Sequence, residues 1–240
     1  MKGKRILSVL LAFAFVFGTF TAIPTTVFAQ DDAELDTLLD EYIEENYYGK
    51  ITVTIAASRP IANSRAVFNI EDMSAGHTYI RLDFGDGNVM IRGFSPIDDL
   101  SVLAVMNNTT VEGKLEDKAT KDWNAAIVYE ITLEQANAIK DYADSFDPAN
   151  FNIIFNNCTT FAVNALMTAG ISPPTEKHNW IFPTRDEAIA AMPPYILDKE
   201  RFVNELLSRI YYGYTPADAV QDFKSNANCI LKYNGTLHKP

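Results

Sequence analysis

Two short segments of this 240-residue chain carry residue types suited to nucleophilic chemistry. Cys158, preceded by Asn157, stands at the first turn of a predicted helix, and His77 follows Gly76 at the start of a predicted strand. The amide N–H groups and the positive dipole end of a helix start favour a thiolate and can hold a developing oxyanion. A histidine on an adjacent strand can take the thiol proton and return it to a leaving group. The pair therefore predicts nucleophilic catalysis by a thiolate.

Cys158 also has simpler interpretations. Cys229 is the second cysteine of the chain, and an even pair in an oxidising compartment favours a disulfide. An inert buried thiol is a third interpretation, and His77 alone equally suits a hydrogen-bonded core residue. We favour the nucleophile because Cys158 begins a well-patterned helix that stops at Gly170, whereas Cys229 lies in an apparent late strand or tail.

The other histidines and the acidic residues give little sign of a site. His178 lies in a predicted surface loop, and His238 is too close to the C-terminus for a fixed role. No cysteine and histidine pair has zinc-ligand spacing. Asp83, Asp86 and Asn88 faintly resemble a calcium loop, but a hairpin turn explains them better. We predict neither a metal nor a cofactor.

The N-terminus has the pattern of a secretory signal peptide. Basic residues at Lys2 to Arg5 precede an uncharged apolar stretch, Ile6–Phe20, and Val27-Phe28-Ala29 offers small residues for cleavage before Gln30. The apolar stretch is short for a membrane span, and no later segment reaches that length. Residues 1–29 therefore predict export, and the mature chain is expected to have no membrane span.

Composition excludes some functions of the mature chain, residues 30–240. The formal net charge is −11, and cleavage of the signal peptide makes it more negative, so binding to a nucleic-acid backbone is not expected. Hydrophobic residues make up 48% of the chain, which is ample for the core of one domain. The sequence does not indicate an oligomeric state.

The order of predicted elements is helix, strands, then helices, which indicates an α+β fold. Apolar spacing predicts a first helix over Asp31–Tyr48, and β-branched alternation predicts the strands that follow. Residues 77–94 are expected to form an antiparallel hairpin, and the polar stretch Asn107–Trp123 a surface excursion. The predicted strands are Ile51–Ile55, Ala66–Ile70, Thr78–Asp83, Val89–Phe94, Ser101–Met106 and Ala125–Ile131.

The second half of the chain carries helix-capping signals. Thr132 with Gln135 forms a capping box for a helix that continues to about Ser145. After the cysteine helix, the sequence predicts three more helices. They begin at Thr184, at Asp198 (continuing to about Tyr212) and at Thr215.

The candidate site residues resemble those of a known superfamily. Gly76-His77 on a strand, the return to Gly93-Phe94-Ser95-Pro96, and Asn157-Cys158-Thr-Thr-Phe-Ala at a helix start are similar to the circularly permuted papain-like (NlpC/P60-type) superfamily. In that group the histidine precedes the cysteine in the chain. The resemblance runs from about Gly76 to Pro174.

The resemblance implies an α+β domain in which the cysteine helix packs on an antiparallel sheet that carries the histidine. It implies a core at about residues 50–174 and a C-terminal helical extension over 184–226. Cys158 would be the nucleophile and His77 the base. A third polar residue usually lies on the strand after the histidine, where Asn88 and Arg92 are the polar choices. Asn157, beside the cysteine, either donates to an oxyanion or shapes the turn.

Members of the superfamily share acyl transfer through a thioester. The first hypothesis is therefore a secreted cysteine hydrolase that cleaves an amide bond in a peptide or cell-wall peptide through Cys158 and His77. A second is a lipid acyltransferase or thioesterase of the same fold, which would need an apolar acyl groove. A third is a non-catalytic secreted binding module in which Cys158 and Cys229 form a disulfide.

Overall fold

A computed structural model describes residues 32–69, 74–98, 108–117, 123–182, 184–192 and 197–239. The predicted signal peptide over 1–29 and the predicted strand Ser101–Met106 lie outside the described residues. The chain from Asp31 to Pro240 forms one compact unit. No helix in the described ranges combines the length and apolar character needed to cross a membrane.

The fold is α+β and is built on one seven-stranded antiparallel sheet with the order β4-β3-β2-β1-β5-β8-β9. Hairpins connect β2 to β3 and β8 to β9, and β1 lies between β2 and β5. A separate two-stranded ribbon pairs β6 with β7. The strands are β1 (Thr52–Ser58), β2 (His77–Asp83), β3 (Val89–Pro96), β4 (Gly113–Glu116), β5 (Ala125–Glu130), β6 (His178–Asn179), β7 (Tyr212–Gly213), β8 (Cys229–Tyr233) and β9 (Thr236–His238).

Six α-helices lie in the described ranges, and most begin where a cap residue predicts. Thr132 and Thr184 each form a complete capping box, Asn157 and Asp198 cap through their side chains, and Thr215 caps a helix that has proline in its first turn. The helices are α1 (Asp32–Tyr47), α2 (Leu133–Ser145), α3 (Cys158–Thr168), α4 (Arg185–Ala191), α5 (Lys199–Leu207) and α6 (Pro216–Phe223).

The sheet buries both of its faces. On one face, Ile55, Ile80 and Phe94 belong to a large apolar cluster that includes side chains of α2, α3 and α6. On the other face, Tyr79 belongs to a smaller cluster that includes Leu39 of α1. Alternate residues of each central strand therefore enter different cores, which explains why β1 is buried along its whole length.

The structure corrects the predicted strand at Ala66–Ile70. Its described residues make only single bridges, Ala66 to Ile181 and Asn69 to Ser74. Val67 and Phe68 are nevertheless buried. A short apolar run indicates burial but not strand pairing, so the sequence pattern could not distinguish a strand from a buried loop.

Two further corrections concern later segments. The helix that begins after Asp198 ends at Leu207, not near Tyr212, and Tyr212–Gly213 pairs with His178–Asn179. The polar stretch 107–123 is not only an excursion, because Gly113–Glu116 pairs with β3 as an edge strand. These segments are short or polar, and their pairing depends on tertiary contacts.

Candidate active site

Cys158 is the first residue of α3, and Asn157 fixes that helix start. The Asn157 side-chain oxygen accepts from the Thr160 N–H at 3.0 Å, and its amide nitrogen donates to the carbonyls of Ile153 at 2.7 Å and Tyr214 at 2.9 Å. The side-chain donors of Asn157 are thus used by backbone carbonyls. Of its two predicted roles, the structure supports shaping the turn and not donation to an oxyanion.

A hydrogen bond ties the cysteine helix to the histidine strand. Thr78 and Thr159, the neighbours of His77 and Cys158, join their buried hydroxyl groups at 2.9 Å. His77 and Cys158 both line one cavity of about 210 Å³. The structure therefore brings the predicted base and nucleophile, 81 residues apart in sequence, to the wall of the same cavity.

His77 is held by its backbone and by its ring. Its N–H donates to the Ser58 hydroxyl at 3.1 Å, and the ring stacks on Tyr79 with centroids 6.3 Å apart. The His77 Nε2 atom lies 3.5 Å from a carboxylate oxygen of Glu116 on β4. The side chains are 4% and 15% exposed, respectively, so this contact is largely shielded from water.

Glu116 is a polar neighbour of His77 that the sequence patterns did not identify. The predicted choices lie elsewhere: Asn88 is exposed in the β2–β3 turn, at the far end of the hairpin from His77, and Arg92 lies opposite Ile80 with its guanidinium 3.9 Å from Asp144. The structure therefore brings neither Asn88 nor Arg92 to the cavity wall. The carboxylate beside His77 is that of Glu116, which lies on β4, one strand further along the sheet.

Gly93 leaves the space that the His77 ring needs to reach Glu116. Gly93 lies on β3, between the two strands, and pairs with Tyr79 on one side and Glu116 on the other. A methyl group on its Cα would lie 2.5 Å from His77 Nε2, closer than real contacts allow. Glycine in the middle of a strand often marks such a close approach.

Replacing Gly93 by alanine should therefore displace the His77 ring. We expect Gly93→Ala to lower the free energy of unfolding by about 1–3 kcal/mol, because an overpacked site must shift. In a His77→Ala background the ring is gone, so the same change should cost much less. Urea unfolding of the four proteins measures this coupling. Equal costs in both backgrounds would contradict the contact.

The His77 ring and helix α3 belong to different faces of the sheet. His77 lies on the face of Tyr79 and Gly93, whereas α3 packs on the face of Phe94, whose ring centroid is 6.4 Å from that of Phe161. The cavity is lined by residues of both faces, including Phe94 and Ser95. His77 and Cys158 thus share the cavity wall around the end of the sheet, with Glu116 on the His77 side.

The two cysteines are not joined in a disulfide. Cys229 begins β8, is 1% exposed and packs in the large apolar cluster. Burial raises the pKa of the Cys229 thiol to about 11. Cys158 is 6% exposed and lines the cavity. The disulfide expected for the binding-module hypothesis is therefore absent, and the two thiols have different surroundings.

His178 has a more defined environment than a surface loop predicts. It is half-buried on β6, and its Nε2 lies 3.0 Å from a carboxylate oxygen of Asp222 on α6. The same oxygen accepts from the Thr175 hydroxyl and the Glu176 N–H. His178 is not among the cavity-lining residues, but Trp180, two positions on, is. Asp222 and His178 therefore anchor the segment that leads to one cavity wall.

Comparison with known proteins adds no assignment, and no group in the described ranges suggests a metal. No family model, curated protein or solved structure matches the chain. Within the described part of the chain, no three histidine, cysteine, aspartate or glutamate side chains come together as metal ligands would. The chemistry of the site therefore has to be argued from Cys158, His77 and their neighbours.

Proposed function

We propose that the chain is a secreted cysteine hydrolase of permuted papain-like fold that cleaves an amide or a related acyl bond. The observation that carries this proposal is one cavity whose lining includes both Cys158, at a helix start, and His77, whose Nε2 lies 3.5 Å from a Glu116 carboxylate oxygen. Each component has a role in acyl transfer to a thiol.

In the proposed reaction, His77 takes the Cys158 proton and the sulfur attacks the carbonyl carbon of the substrate. The carbonyl oxygen gains negative charge, which the backbone N–H groups and dipole at the start of α3 stabilise. The C–N bond then breaks, His77 returns the proton to the amine, and a thioester remains on Cys158. Water attacks the thioester with His77 as base, which releases the acid and restores the thiol.

Glu116 fits this scheme as a positioning residue. Because Nε2 of His77 faces the Glu116 carboxylate, Nδ1 is the ring nitrogen assigned to proton exchange with Cys158 in the proposed reaction. A carboxylate beside an imidazole orients the ring and stabilises the imidazolium that forms during catalysis.

A lipid acyltransferase or thioesterase of the same fold is the second candidate function. The apolar wall of the cavity, which includes Phe68, Phe94 and Phe151, is the observation that favours it. Secretion is part of the proposal for both candidates and rests on the signal peptide that the sequence of residues 1–29 predicts.

Thiol alkylation of the mature protein, residues 30–240, tests the proposed nucleophile. We expect iodoacetamide at pH 6.5 to label Cys158 at least about ten times faster than Cys229, since a thiol with a pKa near 11 is protonated at that pH. His77→Ala should slow the labelling of Cys158 and leave that of Cys229 unchanged. Peptide mass spectrometry without reductant identifies each modified thiol.

The Cys229→Ala variant is the matched control, since it removes the other buried thiol and should label like the parent protein. Equal and slow labelling of both cysteines would count against an activated Cys158. A recovered peptide with a disulfide between Cys158 and Cys229 would contradict the hydrolase proposal. It would favour the non-catalytic binding module.

A further inference from the structure

Part of the wall of the cavity beside Cys158 is apolar, in contrast to the polar catalytic groups. Its lining includes the side chains of Val67, Phe68, Phe94, Phe151 and Trp180. Among the described lining residues there is no aspartate, glutamate, lysine or arginine. A charged substrate group that packed against these apolar side chains would lose its hydration, and among the described lining residues only His77, which the proposed reaction uses for proton transfer, could offset a negative charge.

The size of the cavity limits what can enter. An apolar cavity of about 150 Å³ holds a benzene molecule, and one water-sized group takes about 30 Å³. The volume of about 210 Å³ therefore suits a benzyl group or a branched aliphatic chain of roughly seven carbons. A fatty acyl chain of 16 carbons would leave much of its length outside this volume.

Trp180 forms a defined part of the wall. Its ring packs against Tyr211 and Phe182, with centroids 5.6 and 6.2 Å away, and its backbone N–H donates to the Tyr211 carbonyl. The ring therefore has fixed neighbours before any substrate arrives. A rigid aromatic wall of this kind selects ligands by shape at low entropic cost.

We propose that this cavity is the specificity pocket for the acyl side of the substrate and accepts one uncharged aromatic or branched aliphatic group. The inference rests on the proposed function, since it concerns the acyl group that Cys158 receives. It disfavours acyl donors with a carboxylate next to the scissile bond, as in glutamate-containing cell-wall peptides, and it disfavours long lipid chains.

Four 4-nitrophenyl esters test the pocket: those of N-acetyl-phenylalanine, N-acetyl-glutamate, palmitate and acetate. In each reaction the bond from Cys158 sulfur to the acyl carbon forms, the ester C–O bond breaks, and 4-nitrophenolate leaves. We expect kcat/KM for the phenylalanine ester to exceed those for the glutamate and palmitate esters by at least about 20-fold, the scale of one well-filled apolar pocket. Mass spectrometry of the intact protein detects the acyl group on Cys158.

Two variants link the preference to the cavity. Ala75, a half-buried lining residue, should block the space when changed to tryptophan, so that Ala75→Trp reduces kcat/KM more for the phenylalanine ester than for the acetyl ester. Trp180→Ala should raise the relative rate of the palmitate ester, and Trp180→Phe much less. Ala190→Trp, an exposed site on α4, is the matched control for the bulky substitution.

The outcomes separate this inference from the function on which it rests. Acylation of Cys158 by all esters at similar rates, or a preference that Ala75→Trp leaves intact, overturns the pocket and keeps the hydrolase. A preference for palmitate overturns the pocket in favour of the lipid enzyme. If no ester acylates Cys158, the proposed function itself fails.

Discussion

Replacing Cys158 by alanine is expected to lower the rate of acyl transfer by about 10⁴-fold or more. The proposed reaction forms its covalent bond at the Cys158 sulfur. Loss of this nucleophile therefore abolishes the covalent mechanism, which is more than the loss of a single stabilising contact. Steady-state cleavage of the N-acetyl-phenylalanine ester measures the effect, after subtraction of the uncatalysed rate.

The second cysteine provides the control for this result. Cys229→Ala also removes a buried thiol, but from β8 inside the large apolar cluster. We expect a modest loss of stability and an unchanged kcat. If Cys158→Ala retains the parent activity, or if Cys229→Ala loses as much as Cys158→Ala does, the assignment of the nucleophile is wrong.

Replacing Glu116 by alanine should reduce kcat by about 10²-fold with little change in KM. The carboxylate lies 3.5 Å from His77 Nε2 in a largely shielded position, where it can orient the imidazole ring for proton transfer. Glu116→Gln should fall between the parent protein and the alanine variant, because it keeps a polar group beside the ring but removes the charge.

A purely structural role for Glu116 would not depend on the His77 ring. We therefore expect Glu116→Ala to slow alkylation of Cys158 in the parent protein but to add little to the effect of His77→Ala, because the carboxylate acts through that ring. Glu112→Ala, an exposed glutamate just before β4, is the matched control. Additive slowing in the double variant would contradict the positioning role.

The parts of the site that the sequence predicted are those set by local signals. Asn157 as cap and Gly170, with a φ of +72°, bound the cysteine helix. The β-branched segments on either side of a glycine-containing turn define the hairpin that carries His77. These features depend on neighbours in the chain, so one sequence is sufficient to find them.

Glu116 could not be found in this way. It belongs to a short polar edge strand, and its contact with His77 depends on the register of three strands. The available signal was Gly93, a glycine in a predicted strand, which indicates that something approaches the backbone closely. It indicates the approach but not which residue makes it.

Local sequence patterns also could not predict how the C-terminal strands pair. The sequence suggested that Cys229 lies in a late strand or tail, but not that β8 pairs with β5 and extends the central sheet. That pairing joins segments about a hundred residues apart, and only the complete fold determines it.

The hydrogen bond from Asn157 to the Tyr214 carbonyl has a consequence for the order of assembly. It joins the start of α3 to a segment 57 residues later in the chain, and Tyr214 also lines the cavity. A nascent chain that ends before this segment contains the hairpin that carries His77. It lacks the hydrogen bond from Asn157 to the Tyr214 carbonyl, and it lacks the part of the cavity wall that Tyr214 forms. The start of α3 therefore has all of its hydrogen-bond partners only when the chain extends past Tyr214.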